Sequence, residues 1–121
     1  MKDGITRAVF FVLAAGLYGA DSLPEALQSK RYQDALAFTE ALLARQPNDP
    51  KTLTAHGIAL EGLGRVQESI DAFEKALKFA PQFVPALQGA IEVTYRARNP
   101  KAAVFLSRLL QIKPQDGVAH A

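Results

Sequence analysis

The sequence predicts an all-α fold in which antiparallel helix–turn–helix units stack side by side. Pro47, Pro81 and Pro114 are separated by 34 and 33 residues, and a period of this length is typical of stacked supersecondary units. Small residues that let two helix backbones approach closely, and leucines that fill the space between neighbours, recur at fixed distances before each proline. The small residues are Ala35, Ser69 and Ala102, and the leucines are Leu43, Leu77 and Leu110.

The central unit, residues 50–83, begins with a helix start signal. Asp49 can cap free backbone N–H groups, and Pro50 is tolerated in the first helical turn. Gly64 can adopt a positive φ and end this first helix. Residues at i, i+4 and i+7 share one helical face, so this spacing predicts a buried face made of Leu53, Gly57 and Leu60.

The second helix of the central unit carries a clearer apolar stripe. Its spacing is that of an amphipathic helix packed on one side. The residue before a proline avoids α geometry, so the helix should end at Ala80, before Pro81. The predicted stripe consists of Ile70, Phe73, Ala76 and Leu77.

Together these residues resemble the tetratricopeptide repeat, and the resemblance covers roughly Leu23 to Ala121. The flanking units depart from the pattern, since Leu23 and Ile91 stand where the central unit has Gly57. The resemblance implies a right-handed α-solenoid of about two and a half repeats. Its units would be residues 21–49, 50–83 and 84–116, with the start of a further unit at 117–121. The residues that carry the match are Leu53, Gly57, Leu60, Gly64, Ser69, Phe73, Ala76 and Pro81.

The flanking units are predicted by the same register. A short helix is expected at Leu23–Ser29 and its partner at Tyr32–Gln46. In the third unit we expect helices at Val84–Ala97 and Ala102–Ile112, followed by an opening turn from Gln115. The side chains expected to point inward from the helix at Tyr32–Gln46 are Ala35, Leu36, Leu42 and Leu43.

Residues 1–20 differ in composition from the repeat domain, residues 21–121. Lys2 and Arg7 precede the apolar run AVFFVLAAGLYGA, residues 8–20, as in a secretory signal peptide. A helix of this length reaches about 20 Å, against roughly 30 Å of hydrocarbon in a bilayer. Three interpretations stay open: a signal cleaved between Gly16 and Ala20, an uncleaved membrane anchor through residues 8–20, and a helical cap on the repeats.

A signal peptide would make the protein exported, either periplasmic or membrane-associated. Without one, the protein would be cytoplasmic. A further alternative is that the chain is the N-terminal module of a larger protein whose activity lies beyond residue 121. The sequence of the gene downstream of this residue would test it.

The composition argues against several classes of function. There is no cysteine, and the net charge is only +2, whereas general nucleic-acid binders carry a stronger basic field. His56 and His120 have no metal-ligand spacing around them, so His56 is expected to pack rather than react. Ser69 lies outside a GxSxG motif, and no phosphate-binding loop is present. We expect no enzyme, no cofactor and no nucleic-acid partner.

The resemblance instead implies a scaffold that binds a protein or peptide in a groove lined by first helices. Family members that hold chaperone tails use a set of Lys, Asn and Arg residues, but Ala55 and Gly89 occupy matching positions here, so that activity is not predicted. Tyr95 either contacts the partner or packs between repeats. The groove residues that the resemblance implies are Lys51, Thr54, Ile58, Glu61, Gln88, Glu92, Tyr95 and Arg96.

The third unit has two further surface features. Its charge is mostly basic, which indicates either a surface for an acidic partner or a solvated helix face. Its last helix has more apolar residues than one packed stripe needs, which predicts an exposed apolar surface and possible self-association through this helix. These residues are Phe105, Leu106, Leu109, Leu110 and Ile112.

Overall fold

The computed structural model describes the backbone of residues 23–120 and the side chains of residues 23–112. The predictions for residues 1–20 therefore lie outside the described residues. The described part is helical throughout and contains no strand. Its helices are α1 (Leu23–Gln28), α2 (Tyr32–Arg45), α3 (Pro50–Gly62), α4 (Val66–Phe79), α5 (Val84–Arg96) and α6 (Lys101–His120).

The helices stack in chain order, and each packs against the next. In addition, α3 packs against both α1 and α5, so the first helices of the three pairs lie side by side in one layer. Short turns join successive helices, which makes each pair antiparallel. The predicted all-α solenoid of stacked helix pairs is confirmed.

The turn inside each pair has the same geometry in all three units. Gly64 has a φ of +79°, and Lys30 and Arg98, 34 residues away on either side, have φ values of 58° and 55°. In each turn the next N–H reaches back five residues, as in the bond of 2.9 Å from Arg65 N–H to the Leu60 carbonyl. The equivalent bonds run from Arg31 to Ala26 and from Asn99 to Thr94. Backbone geometry thus shows the repeat more clearly than the side chains do.

Phe73 lies at the centre of the core and is fully buried. A Cβ atom added to Gly57 of α3 would come within 2.8 Å of its ring, and one added to Gly89 of α5 within 2.5 Å. The ring therefore fills the space between α4 and both neighbouring first helices. Ser69, one turn earlier, donates a hydrogen bond of 2.7 Å to the Gly57 carbonyl. This confirms the predicted small position at Ser69 and the predicted apolar stripe that contains Phe73.

The helix start at the central unit also agrees with the sequence. Asp49 accepts hydrogen bonds from the Lys51 N–H at 3.3 Å and from the Thr52 hydroxyl at 2.7 Å. Asn99 accepts in the same way from the Lys101 N–H at 2.9 Å. Both residues are followed by a proline, which has no N–H to satisfy.

Two details of the prediction are wrong. Leu42 was expected to point inward but is exposed, and the polar Thr39 is buried instead. Thr39 is tolerated there because its hydroxyl donates to the Leu36 carbonyl at 3.0 Å. Helix α6 also continues through Pro114 to His120, where a turn was expected. That turn was expected from the repeat register and from Pro114, but a proline removes one helical hydrogen bond without forbidding the helix.

Candidate protein-interaction surface

The eight predicted groove residues lie on α3 and α5, the two neighbouring first helices. Five of them are exposed, two are partly buried and one is buried. The exposed residues are Lys51, Gln88, Glu92, Tyr95 and Arg96; Ile58 and Glu61 are partly buried, and Thr54 is buried.

The structure brings three of these residues into direct contact. Arg96 of α5 donates to Glu61 of α3 at 3.2 Å and to Glu92 of its own helix at 2.9 Å. The side chain of Glu61 is only 14% exposed. Burial raises the pKa of Glu61 above its usual value, the nearby Glu92 carboxylate adds to this rise, and Arg96 opposes it. The cluster holds α3 and α5 together and includes a carboxylate that is poorly solvated in its charged form.

Tyr95 lies beside this cluster and is 76% exposed. It does not pack between the described helices, so the second interpretation of this residue is wrong for this part of the chain. Together with Arg98, Asn99 and Ala102, it lines an open depression of about 480 Å³ at the turn between α5 and α6.

Two groove residues lie apart from the cluster. Thr54 is buried, and its hydroxyl donates to the Pro50 carbonyl at 2.8 Å, so it is not free to contact a partner. Lys51 lies at the opposite end of α3, beside the turn formed by residues 46–49. The groove that the resemblance implies is therefore continuous only at the ends of α3 and α5 that carry Glu61 and Arg96.

The basic residues of the third unit are partly engaged within the protein. Lys101 pairs with Glu74 of α4 at 2.7 Å, and Arg96 is held by two carboxylates. Arg108 lies 5.9 Å from the centre of the Phe105 ring. These contacts favour a solvated helix face with local pairing over a general surface for acidic partners.

His56 behaves as a packing residue. Its Nδ1 lies 2.8 Å from the hydroxyl of Thr39 on α2. Because that hydroxyl donates to the Leu36 carbonyl, the tautomer that fits has Nδ1–H as the donor. Burial lowers the pKa of His56. Sequence motifs do not indicate this partner, since Thr39 has no polar motif around it.

The described residues offer little for metal or membrane chemistry. They include no group of three His, Cys, Asp or Glu side chains that could hold a metal ion. Likewise, none of the helices in the described part is both long enough and apolar enough to cross a membrane.

Comparison with known proteins finds similarity to the same named subunit in two organisms. No family model matches the chain, and no solved structure matches it. Over 79 residues, 65% of this chain, it is 32% identical to anaphase-promoting complex subunit 7 of Homo sapiens, and the same values hold for that of Mus musculus. The chain spans only 14% of the length of these curated relatives. The fold and surface define a class, a helical-repeat protein with exposed helix faces in its described part, and the similarity is to a subunit of a protein complex.

Proposed function

We propose that this chain is a non-enzymatic scaffold of the tetratricopeptide-repeat type that binds a protein or peptide partner. The observation that carries the proposal is the left-handed turn conformation shared by Lys30, Gly64 and Arg98, 34 residues apart. It makes the chain a regular array of helix pairs, and such arrays bind other proteins on extended surfaces. The similarity to a named subunit of a multiprotein complex supports the same function.

The partner would bind beside the cluster of Glu61, Glu92 and Arg96. The exposed Tyr95 ring adds an aromatic contact, and aromatic and arginine side chains are frequent binding hot spots. A cationic group on the partner would stabilise the charged form of Glu61, whose pKa is raised mainly by burial. We therefore favour a peptide or helix with at least one basic residue.

A pull-down with the full-length gene product from its native host tests this function. Once a partner is recovered, Tyr95→Ala should weaken its binding by about 2 kcal/mol, a typical hot-spot value. The melting temperature should stay nearly the same, because the ring is exposed. Arg96→Glu should change the association rate and its salt dependence. A partner that binds both variants as tightly as the wild type contradicts this site.

Export is a separate proposal, based on the charged start and the apolar run at residues 8–20. Intact-mass measurement of the protein from its native host tests it. We expect a species that begins after a residue between Gly16 and Ala20. A mature protein that still begins at Met1 favours the membrane anchor or the helical cap instead.

The alternative function, an N-terminal module of a larger protein, makes a different prediction. The activity would then map to residues beyond 121, and partners of residues 21–121 would be internal domains. Sequencing the downstream part of the gene distinguishes the two possibilities.

A further inference from the structure

The α5–α6 pair exposes the face that corresponds in repeat register to the one that α3 and α4 bury. In repeat register, Thr54, Ile58 and Glu61 of α3 correspond to Gln88, Glu92 and Tyr95 of α5. The α3 residues are buried or partly buried in the stack, whereas the α5 residues are all exposed. Arg96 shows directly that α5 covers the α3 side, since it crosses to Glu61 at 3.2 Å.

The second helices of these two pairs, α4 and α6, differ in exposure in the same way. Phe73 and Leu77 of α4 are 0% and 4% exposed, and their equivalents on α6, Leu106 and Leu110, are 45% and 55% exposed. The Phe73 ring is covered by α5 at Gly89. No described helix covers Leu106 and Leu110 in this way. We call this surface the terminal face and define it as Gln88, Glu92, Tyr95, Ala103, Leu106 and Leu110.

We propose that the terminal face binds an amphipathic helix of a partner protein, seated as α5 is seated on α3 and α4. The proposal rests on the scaffold function and names the kind of partner. That helix would carry a small residue opposite Leu106, as Gly89 lies opposite Phe73. It would also carry a basic residue beside Tyr95, the equivalent of Glu61, where the Glu92 carboxylate, three residues earlier and paired with Arg96 at 2.9 Å, supplies the negative charge.

A second copy of this chain fits the terminal face less well. Within the protein, α5 covers the equivalent face of α3 and α4 by placing Gly89 against the bulky Phe73 ring. Two terminal faces brought together would instead place leucine, tyrosine and glutamine side chains against one another, with no glycine among them. Small residues permit the close backbone approach that α3, α4 and α5 show, so a partner helix is the better occupant.

The test uses the helix of this protein that already covers such a face. The probe is a labelled synthetic peptide of residues 83–98, made helical by Gln88→Lys and a lactam between positions 88 and 92. These positions are exposed in α5, so the bridge lies away from the contact surface. Pre-organising the helix removes the ordering cost of binding. Binding to the full chain is followed by fluorescence anisotropy.

We expect saturable binding with one peptide per chain. Leu106→Asp should weaken it by about tenfold or more, as expected for loss of a central apolar contact. The matched control is Val104→Asp: Val104 is 58% exposed, but its equivalent on α4 is the exposed Asp71, so binding should not change. A peptide carrying Arg96→Glu should bind more weakly than the original, and the difference should shrink at high salt.

Three results overturn the proposal: no saturable binding, equal loss with Val104→Asp, or a chain that dimerises through Leu106 and excludes the peptide. Circular dichroism of both variants checks that they remain folded, and Leu106→Gln provides a milder replacement. A native partner that still binds Leu106→Asp normally would leave the scaffold function standing while removing this face as its site.

Discussion

At the scale of single residues, the packing of α4 against α3 and α5 depends most on Phe73. Its ring touches glycines on both neighbouring first helices, so no nearby side chain can easily fill the space that it leaves. We expect Phe73→Ala to lower the free energy of unfolding by about 3–5 kcal/mol. Since small domains have roughly 5–15 kcal/mol in total, chemical denaturation should show a greatly weakened protein. An unchanged midpoint would contradict the packing.

A substitution at Gly89 tests the same contact with Phe73 from the side of α5. Gly89→Ala improves helix propensity by about 1 kcal/mol, but the new methyl group would lie 2.5 Å from the Phe73 ring, and overpacking costs about 1–3 kcal/mol. In the double variant with Phe73→Ala the clash disappears. The loss should therefore be smaller than the sum of the two single losses, which a double-mutant cycle measures.

His56 should make stability depend on pH. Burial lowers its pKa in the folded protein, Glu40 and Glu68 oppose the shift, and Arg65 adds to it. The unfolded chain, with a histidine pKa of about 6.5, therefore takes up the proton first. The contribution of neutral His56 is present above that pH and is lost as the pH falls below it.

Thermal melting of the wild type and His56→Gln between pH 7.5 and 5 measures this effect. The glutamine variant lacks this titration, so the wild type should lose more stability than the variant over the acid part of the range. Parallel curves for the two proteins would show that His56 does not couple protonation to folding.

The residues that the sequence could identify are those with an apolar or small side chain at helical spacing. Gly57, Ser69 and Phe73 belong to this group. Thr39 was missed because its buried hydroxyl is satisfied by the backbone of its own helix, which a pattern of apolar residues does not show. Leu42 was misplaced because its equivalent on α4, Ala76, is fully buried, whereas α1, the first helix in the unit of Leu42, has only six residues to cover it.

At the scale of helices and turns, the backbone of the turn between α5 and α6 is strained at Arg98, and a glycine there would relieve the strain. Arg98 has a φ of 55° in the turn where the central unit has glycine, and the left-handed conformation costs a non-glycine residue roughly 1–2 kcal/mol. Replacing Arg98 by glycine removes this cost, but part of the gain is lost because glycine makes the unfolded chain more flexible. We expect Arg98→Gly to raise the free energy of unfolding by about 0.5–1 kcal/mol.

Urea denaturation of three variants separates this effect from a loss of charge. Arg98→Ala removes the same guanidinium but keeps a Cβ atom, so it should give no gain. Gly64→Ala introduces the strain into the central unit, where φ is +79°, and should be destabilising. Equal gains from Arg98→Gly and Arg98→Ala would assign the effect to charge instead.

Helix boundaries show what local signals can determine. Asp49 before Pro50 marked a helix start correctly, because capping is a local interaction between a side chain and nearby N–H groups, and Asn99 before Pro100 makes the same contact. The end of α6 was not predicted correctly, since a proline only weakens a helix. Likewise, the exposure of Tyr95, Leu106 and Leu110 depends on which helices pack beside α5 and α6, and no signal within these two helices states that.

At the scale of the whole molecule, stability should be distributed unevenly along the stack. Repeat units contact only their neighbours, so their stabilities add approximately as a one-dimensional array. Helices α3 and α4 are packed on both sides and supply most of the buried residues, whereas α1 has six residues and buries only Ala26. Opening should therefore begin at the ends of the described array and reach the central pair last.

Hydrogen exchange followed by mass spectrometry or NMR measures this order. We expect the slowest amides in α3 and α4, near Leu60 and Phe73, and much faster exchange in α1. Adding the lactam-bridged peptide should slow exchange in α5 and α6 if it covers the terminal face, while α1, at the other end of the stack, should change little. This pattern follows from nearest-neighbour contacts, because a ligand at one edge stabilises the adjacent pair most. Uniform protection from α1 to α6 would mean that the chain unfolds as a single cooperative unit, and the edge pairs would then be as stable as the centre despite their exposed faces.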